Sequence, residues 1–284
     1  MIIKILLGIL AVLLLWGIGD ILYDIHFFRV TPYHLKDQRI KKPFRFVVLS
    51  DLHDKRFGKG NCRLIKTIRR LSPDAVLVAG DMVTAKGHVK IAPAAELFEI
   101  LSTEFPVYYG MGNHEERIKR RPDLYGDVYG AYAARLKKCG IEPLENLHAS
   151  LPEYGIRIYG FTADKRFYRR FHNLPMPEEY LAGCLGKRDE SQYTILLAHN
   201  PDYFADYSAW GADLVLSGHN HGGIVHVPLL GGMVAAKCTL FPKYDAGYFK
   251  EGKSVMLLSR GLGTHTLPVR VLNRAELLYV TLEP

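Results

Sequence analysis

The sequence predicts an α/β protein, and three observations support that prediction. Its 284 residues are enough for one large α/β domain or two small ones, each with a substantial core. Short apolar runs of strand type alternate with helical stretches from Phe44 onward, which is typical of sheets covered by helices. With 48% hydrophobic, 23% charged and 11% aromatic residues, the composition is that of a folded enzyme-sized chain. Disordered, collagen-like and mucin-like classes are therefore excluded.

The first element is an apolar segment that predicts a membrane anchor over residues 1–28. The run from Ile2 to Gly19 has eighteen residues with Lys4 as its one charge. As a helix it would reach about 27 Å, close to the thickness of a hydrocarbon core. A cleaved signal peptide and a buried core helix are the alternatives. No small-x-small cleavage site follows, and several aromatic side chains suit a membrane interface: Trp16, Tyr23, Phe27 and Phe28.

Residues 29–43 are predicted to be a basic juxtamembrane linker. From Arg29 to Arg45 only Asp37 opposes the basic residues, which are Arg29, Lys36, Arg39, Lys41, Lys42 and Arg45. Since Lys and Arg are retained on the cytoplasmic side, we expect a single-pass protein of the cell membrane with its main domain in the cytoplasm. The alternative is a signal anchor, because a short N-terminal flank with one Lys, Lys4, also suits a helix that exports the C-terminal part of the chain.

Residues 44–284 contain no internal repeat and no flexible linker, so we expect one domain there. Apolar runs predict strands at 44–50, 75–80, 106–112, 156–161, 193–199, 213–219, 254–261 and 277–282. Helical spacing of apolar residues predicts helices over 64–71, 94–101 and 129–138. Residues 166–186 are rich in Arg, aromatics and Pro and fit neither pattern, so we predict an insertion or lid.

Net charge and cysteine usage narrow the partners and the compartment. Thirty-seven Lys and Arg against 29 Asp and Glu leave +8, which favours anionic partners such as phosphates, acidic lipids or nucleic acid. The cysteines are far apart and form no C-x-x-C pair, namely Cys62, Cys139, Cys184 and Cys238. Neither a zinc knuckle nor a dense disulfide framework is indicated, and a reduced compartment is favoured.

Asp, Asn or His directly follows five of the predicted strands. These residues are Asp51 and His53, then Asp81, Asn113 and His114, His199, and finally His219, Asn220 and His221. A lone His in such a place is commonly structural, and a lone Asp often caps a helix. Because the carboxyl ends of strands converge on a ligand-binding crevice, five together indicate a polynuclear metal centre. Imidazole and carboxylate ligands without a thiolate suit Mn, Fe or Zn.

These motifs resemble those of the calcineurin-like metallophosphoesterase superfamily. They read D-L-H at 51–53, G-D at 80–81, G-N-H-E at 112–115, His199, and G-H-N-H at 218–221. Three later stretches, 241–248, 259–264 and 267–274, are similar to a bacterial membrane-associated phosphodiesterase branch, although turns and a final strand also explain them. The resemblance implies an α/β/β/α sandwich with two mixed sheets, forming a metallophosphoesterase catalytic domain over 44–284.

The resemblance also implies a role for each motif residue. Two divalent metal ions are expected. Asp51, His53 and His221 would hold one, and Asn113, His199 and His219 the other. Asp81 would bridge them. His114 is expected to be catalytic rather than a ligand, as a donor to the phosphate or a general acid for the leaving oxygen. Asn220 occupies a variable position and receives no role.

The function expected from these features is that of a membrane-anchored dinuclear-metal phosphohydrolase cleaving phosphodiester or pyrophosphate bonds. Two cations neutralise a phosphate and activate water near neutral pH. A lipid or nucleotide-lipid substrate is a candidate, because the basic aromatic stretch 165–171 would suit an anionic head group beside a membrane; a solvated loop is the alternative. The basic residues in 117–121 could likewise contact an anionic head group or form a solvated surface.

Two other functions use the same features. A phosphomonoesterase or protein phosphatase would need the same metals. A catalytically silent membrane scaffold would keep the fold, but proteins of that kind have usually lost some of the metal-ligating residues. The motif residues are all present, which argues against the scaffold. No stable nucleic-acid partner is expected for a membrane-tethered chain, and the sequence leaves the oligomeric state open.

Overall fold

Two β-sheets pack face to face, and helices cover their outer faces. The structure is a computed structural model that describes residues 1–169, 174–227, 231–233, 239–264 and 268–284. The first sheet has five strands in the spatial order β1 (Phe28–Lys36), β13 (Ala275–Glu283), β2 (Phe44–Leu49), β3 (Ala75–Ala79) and β4 (Val107–Gly110). β13 runs antiparallel to β2, whereas β2, β3 and β4 are parallel, so this sheet is mixed.

The second sheet has six strands and is also mixed. Their spatial order is β11 (Gly247–Glu251), β12 (Ser254–Leu258), β8 (Leu214–Ser217), β7 (Tyr193–Ala198), β6 (Ile156–Phe161) and β5 (Leu147–Leu151). The inner four strands are parallel, and β5 and β11 run antiparallel at the two edges. Two further short strands, β9 (His226–Val227) and β10 (Gly231–Gly232), pair antiparallel in a separate sheet.

Helices lie on the outer face of each sheet. Against the first sheet pack α2 (Cys62–Leu71), α3 (Ala92–Leu101) and α6 (Val128–Lys138). Against the second pack α7 (Tyr180–Leu185) and α8 (Phe204–Trp210). α4 (Asn113–Arg120) and α5 (Pro122–Tyr125) follow β4. The α/β/β/α sandwich with two mixed sheets is therefore confirmed.

Alternation along β2 shows why this order of layers forms. Val47 and Leu49 point into the core beneath the helices, and Phe46 and Val48 point into the core between the sheets. All four are fully buried. A strand that is apolar on both faces is stable only when both faces are covered, and each such side chain stabilises the fold by about 1.5–3 kcal/mol.

Part of the predicted linker over residues 29–43 is a strand in the structure. Phe28–Lys36 is the edge strand β1, paired parallel with β13 along its whole length from Phe28–Ala275 to Lys36–Glu283. Its burial alternates, and Val30 packs on the helix-covered core while Leu35 packs on the core between the sheets. The basic charges of the segment suggest a linker, whereas the alternation of apolar residues indicates a strand. Pro32 is tolerated because an edge strand can lack one donor.

α1 (Ile2–His26) is long and apolar enough to cross a membrane, by length and composition. Its 25 residues include an 18-residue window of mean hydropathy 2.5 that is not buried by the rest of the protein. At about 1.5 Å per residue the helix is roughly 37 Å long, more than the hydrocarbon core requires.

The predicted lid at 166–186 overlaps a 3-10 turn at Lys165–Tyr168 and contains the helix α7. Residues 170–173 of that segment, and residue 267 of the last C-terminal stretch, lie outside the described residues.

Candidate metal centre

The predicted site residues meet at the carboxyl ends of strands from both sheets. β2 leads to Asp51 and His53, β3 to Asp81, and β4 to Asn113 and His114 at the start of α4; β7 leads to His199, and β8 to His219 and His221. All except Asn113, which is half-buried, are at most 9% exposed. The two sheets thus contribute side chains to one edge of the sandwich, as the motif positions predict.

The backbone at this edge is unusual because many of its residues adopt positive φ. The residues are Asp51 (52°), His53 (45°), Asp81 (55°), His219 (73°) and His221 (52°). Such conformations cost of order 1–3 kcal/mol each and persist where surrounding contacts fix them. They turn the chain sharply at each strand end, so that the side chains face a common point.

Two glycines of the motifs are needed for close approach. A Cβ at Gly112 would overlap the carboxylate of Asp81, and a Cβ at Gly218 would overlap the carboxylate of Asp51. These positions therefore accept only glycine without moving a carboxylate of the centre.

Asp51, His53 and His221 form one group of converging ligand atoms. Their donor atoms all lie within 4.8 Å of one another. His221 Nε2 is 3.2 Å from Asp51 Oδ1, and His53 Nε2 is 3.1 Å from His221 Nε2. Two imidazole nitrogens and a carboxylate oxygen at these separations match the donor set that Mn, Fe or Zn prefers.

Asp81, His199 and His219 form a second group of the same kind. His199 Nε2 lies 2.9 Å from Asp81 Oδ2 and 3.8 Å from Asp51 Oδ1, so the two groups adjoin. His199 Nδ1 donates to the carbonyl of Ala79 at 2.6 Å, which turns Nε2 toward the carboxylates. Asn113 Oδ1 is buried and has no hydrogen-bond partner among the described residues, as expected of an atom available to a cation.

The electrostatics of the two carboxylates reflect their burial among imidazoles. Burial raises the pKa of Asp51 to about 6. Burial also opposes ionisation of Asp81, but His199 and His114 outweigh it and hold the pKa of Asp81 well below its usual range. Burial disfavours charge on His199, yet Asp81 and Asp51 raise its pKa to about 10. The centre therefore concentrates negative charge that favours a bound cation.

His114 lies against the second group with a fixed tautomer. The backbone N–H of Ala85 donates to His114 Nδ1 at 2.7 Å, so the neutral ring carries its proton on Nε2. That nitrogen is 3.9 Å from Asp81 Oδ2, and the His114 backbone N–H donates to Asp81 Oδ1 at 2.8 Å. His114 also falls within ligand distance of His53 and Asp81, so distance alone does not separate a ligand from a proton donor. Burial lowers the pKa of His114, which favours the neutral ring.

Glu115 is a supporting residue to which the sequence analysis gave no role. Its Oε2 accepts the N–H groups of Asp81 and Gly112, and its Oε1 accepts those of Met82 and Val83 at 2.7–3.1 Å. Burial and the nearby Asp81 charge raise the pKa of Glu115 to about 7. The carboxylate thereby ties the loop of Asp81 to the start of α4. Its place in the G-N-H-E motif was the available signal.

The predicted lid reaches the site through Tyr168. Its ring centroid is 5.2 Å from that of His219 and 6.4 Å from that of His199. Asn200 Nδ2 donates to the carbonyl of Phe167 at 3.0 Å and holds this segment beside β7. The sequence motifs do not identify Tyr168 as a site residue, although it lies in the basic stretch 165–171.

The other basic stretch, residues 117–121, is largely paired on the surface. Lys119 pairs with Glu145 at 2.5 Å, Arg120 with Glu116, and Arg121 with Asp123 at 2.7 Å. Among the described residues, these ion pairs favour a solvent-exposed surface over a surface that contacts the substrate. Asn220, which received no role, donates to the carbonyl of Tyr244 at 2.8 Å and is structural.

Comparison with known proteins gives the family. The calcineurin-like phosphoesterase model matches residues 44–223. An uncharacterized metallophosphoesterase of Bacillus subtilis, YkuE, is 25% identical over 91% of this chain and 86% of its own length. A Danio rerio protein named as a transmembrane protein with metallophosphoesterase domain is 28% identical over 84% of this chain, which spans 53% of that relative. The Escherichia coli phosphodiesterase YaeI is 27% identical, with 78% of this chain and 76% of its own length covered.

The family match covers more than half of the chain and includes every motif residue from Asp51 to His221. Metal-binding side chains of the expected types converge within that matched region. The chain belongs to the calcineurin-like phosphoesterase family and is a metal-dependent hydrolase of phosphoesters.

Proposed function

We propose that the protein is a membrane-anchored phosphohydrolase that cleaves phosphodiester or pyrophosphate bonds at a centre of two divalent metal ions. Asp51, His53 and His221 would hold one ion, Asn113, His199 and His219 the other, and Asp81 would bind both. The observation that carries the proposal is the pair of adjoining ligand groups, joined by His199 Nε2 at 2.9 Å from Asp81 and 3.8 Å from Asp51. Bound metal ions would supply charge neutralisation and an activated water.

His114 would act on the substrate as a hydrogen-bond donor. Its Nδ1 already accepts the Ala85 N–H, so a second proton there would face that N–H. The neutral ring with Nε2–H is therefore the favoured form, and it can donate to a phosphoryl oxygen. This tautomer favours hydrogen-bond donation over general acid catalysis, which would require the doubly protonated ring.

Several features support a lipid or nucleotide-lipid substrate. The helix α1 ends beside residues 272 and 273, close to the loop of His221, so a membrane-embedded α1 would keep the site near lipid head groups. Lys165, Arg166 and Arg169 are exposed on the segment that carries Tyr168. Cations beside a membrane-proximal site favour anionic head groups. The zebrafish relative is named as a transmembrane protein and the E. coli relative as a phosphodiesterase.

The test is a substrate panel with the full-length protein in detergent, with Mn²⁺ added. The panel contains bis-p-nitrophenyl phosphate, p-nitrophenyl phosphate, phospholipids and UDP-diacylglucosamine, and metal content is measured on the same preparation by elemental analysis. We expect two metal ions per active chain and at least about tenfold faster turnover of diesters or pyrophosphates than of the monoester. Preference for the monoester would support a phosphomonoesterase, and full activity with one ion or none would exclude the dinuclear centre.

A further inference from the structure

The end of α1 is bonded to the loop of residues 272–274. Asp24 is only 3% exposed, and its Oδ2 accepts the backbone N–H of Asn273 at 2.6 Å. About one turn earlier, Asp20 Oδ2 accepts the N–H of Leu272 at 2.9 Å. Arg274 lies 4.2 Å from the centroid of the Tyr23 ring, and its Nε is 3.4 Å from Asp24 Oδ1. The last turns of α1 are therefore docked on the domain by side-chain contacts as well as joined to it by the chain.

The side chain of Asn273 continues this contact to the turn that carries His221. Asn273 is fully buried. Its Nδ2 donates to the carbonyls of His221, at 2.7 Å, and of Gly223, and its Oδ1 accepts from Arg260 at 2.9 Å. Both amide protons and the amide oxygen are thus used, and two of the three bonds hold the His221 turn.

That turn needs support from outside itself. His221, Gly222 and Gly223 have φ values of 52°, 69° and 77°, three consecutive residues in the left-handed region. Such a backbone is costly for a non-glycine residue. A backbone bond from the Gly223 N–H to the Asn220 carbonyl, at 2.9 Å, closes the turn, and Asn273 binds the carbonyls of His221 and Gly223. A Cβ at Gly222 would come within 2.5 Å of Asn273 Oδ1, so the amide packs directly on the turn. His221 Nε2, at the end of this arrangement, is 3.2 Å from Asp51.

We propose that Asn273 is a positioning residue that connects the end of α1 to the metal ligand His221. The bonds run from Asp24 to the Asn273 backbone, and from the Asn273 amide to the carbonyls of the His221 turn. The helix end is then a structural part of the metal centre as well as an anchor. The inference rests on the proposed function only in taking His221 as a metal ligand.

The test compares Mn²⁺ affinity and thermal stability of full-length variants in detergent. Asn273→Ala removes both bonds to the turn and should weaken Mn²⁺ binding about 10- to 100-fold, the usual effect of losing a support of a metal ligand. Asp24→Ala should weaken it several-fold. The double variant should lose less than the product of the two single losses, because both act through one connection. Hydrogen exchange should quicken at Gly222 and Gly223 in each variant.

The matched control is Asn61→Ala. Asn61 is also buried, accepts from the Phe57 N–H at 2.9 Å and donates to the Pro93 carbonyl at 3.2 Å, but it lies outside the centre. It should lower Tm and leave Mn²⁺ affinity unchanged. Asn273→Asp should fail to rescue, because a carboxylate has no proton to donate to two carbonyls.

Wild-type Mn²⁺ affinity in folded Asn273→Ala, or in Asp24→Ala, would overturn the inference. If Asn273→Ala does not fold, Asp24→Ala and its exchange at Gly222 and Gly223 decide the question. If the wild-type protein binds none of Mn²⁺, Fe²⁺ and Zn²⁺, the proposed function fails, whereas the exchange measurement still tests whether Asn273 holds the turn.

Discussion

His114 and Asp81 lie side by side, yet their substitutions should separate chemistry from metal binding. His114→Ala removes a donor to the substrate and should lower kcat by about 10²–10³ with metal content nearly intact. Asp81→Asn replaces the carboxylate that is proposed to bind both ions, and this variant should lose metal and activity together. Elemental analysis and turnover of bis-p-nitrophenyl phosphate measure both, with the exposed His148→Ala as the control.

The leaving group distinguishes the two roles of His114. If His114 donates to the phosphoryl oxygen, His114→Ala should lower kcat by similar factors for aryl and alkyl esters. His114→Gln should then restore part of kcat. A general acid predicts a much larger loss for the alkyl ester, whose leaving oxygen needs the proton more. Equal metal loss in His114→Ala and Asp81→Asn would instead show that His114 is a ligand.

Metal binding should release protons because of the state of His199. Without metal, Asp81 and Asp51 raise the pKa of its imidazole to about 10, so the ring is protonated at pH 7. A metal ion needs the neutral nitrogen, so binding must expel that proton and affinity should rise as pH increases from 6 to 9. Calorimetric titrations of Mn²⁺ in buffers of different ionisation enthalpy count the released protons. No release at pH 7 would contradict a protonated His199 in the metal-free centre.

Glu115 should matter through the loop it holds. Both of its oxygens accept backbone N–H groups, so Glu115→Gln would place an amide donor against other donors. We expect a loss of about 1–3 kcal/mol in the free energy of unfolding and weaker Mn²⁺ binding. Urea unfolding measures the first effect. Glu142→Gln, which changes an exposed carboxylate, should leave both quantities unchanged.

Among the secondary-structure elements, β1 lies within the segment 29–43 that the sequence predicts to be a linker, so the first sheet includes residues before Phe44. Its register with β13 runs over nine residue pairs, and Arg29 and Thr31 bond to the buried Glu276. A chain that starts at residue 44 should therefore be less stable than one that starts at residue 28, because β13 loses a neighbour and Glu276 loses Arg29 and Thr31 as partners. Thermal unfolding and hydrogen exchange in β13 test this. Equal Tm values would mean that residues 29–43 act as the linker that their charge pattern suggests.

Sequence periodicity predicted the elements whose apolar pattern is strong. Phe44–Leu49 is apolar on both faces and was recognised as a strand, and the ligand positions followed because they come directly after such strands. The helix α4 was missed because its sequence, NHEERIKR, contains one apolar residue and no helical stripe. Its formation depends on Glu115 and the Gly112 turn instead. The contacts of Tyr168 and Asn273 join residues distant in sequence, which periodicity does not reveal.

At the scale of the whole molecule, α1 and the metal centre belong to one arrangement. Asp20 and Asp24 hold residues 272 and 273, and the same loop supports the turn of His221. An α1 embedded in a bilayer would therefore fix the distance of the centre from the membrane surface. A lipid that reaches the centre from the bilayer would then leave the membrane only a short distance, which agrees with the lipid or nucleotide-lipid substrate proposed above.

The apolar helix α1 and the basic residues after it predict attachment to a membrane with the domain on the cytoplasmic side. The full chain should pellet with membranes and resist carbonate extraction, because removing a spanning helix would expose its apolar side chains to water. The basic residues after α1 favour a cytoplasmic domain, so protease added to spheroplasts should spare the domain and protease added to inside-out vesicles should digest it. The opposite pattern would place catalysis outside the cytoplasm and remove cytoplasmic nucleotide-lipids from the candidate substrates. A mature N-terminus beyond Asp20 would show that the segment is a cleaved signal peptide, and the Asp20 contact with Leu272 would then be absent from the working enzyme.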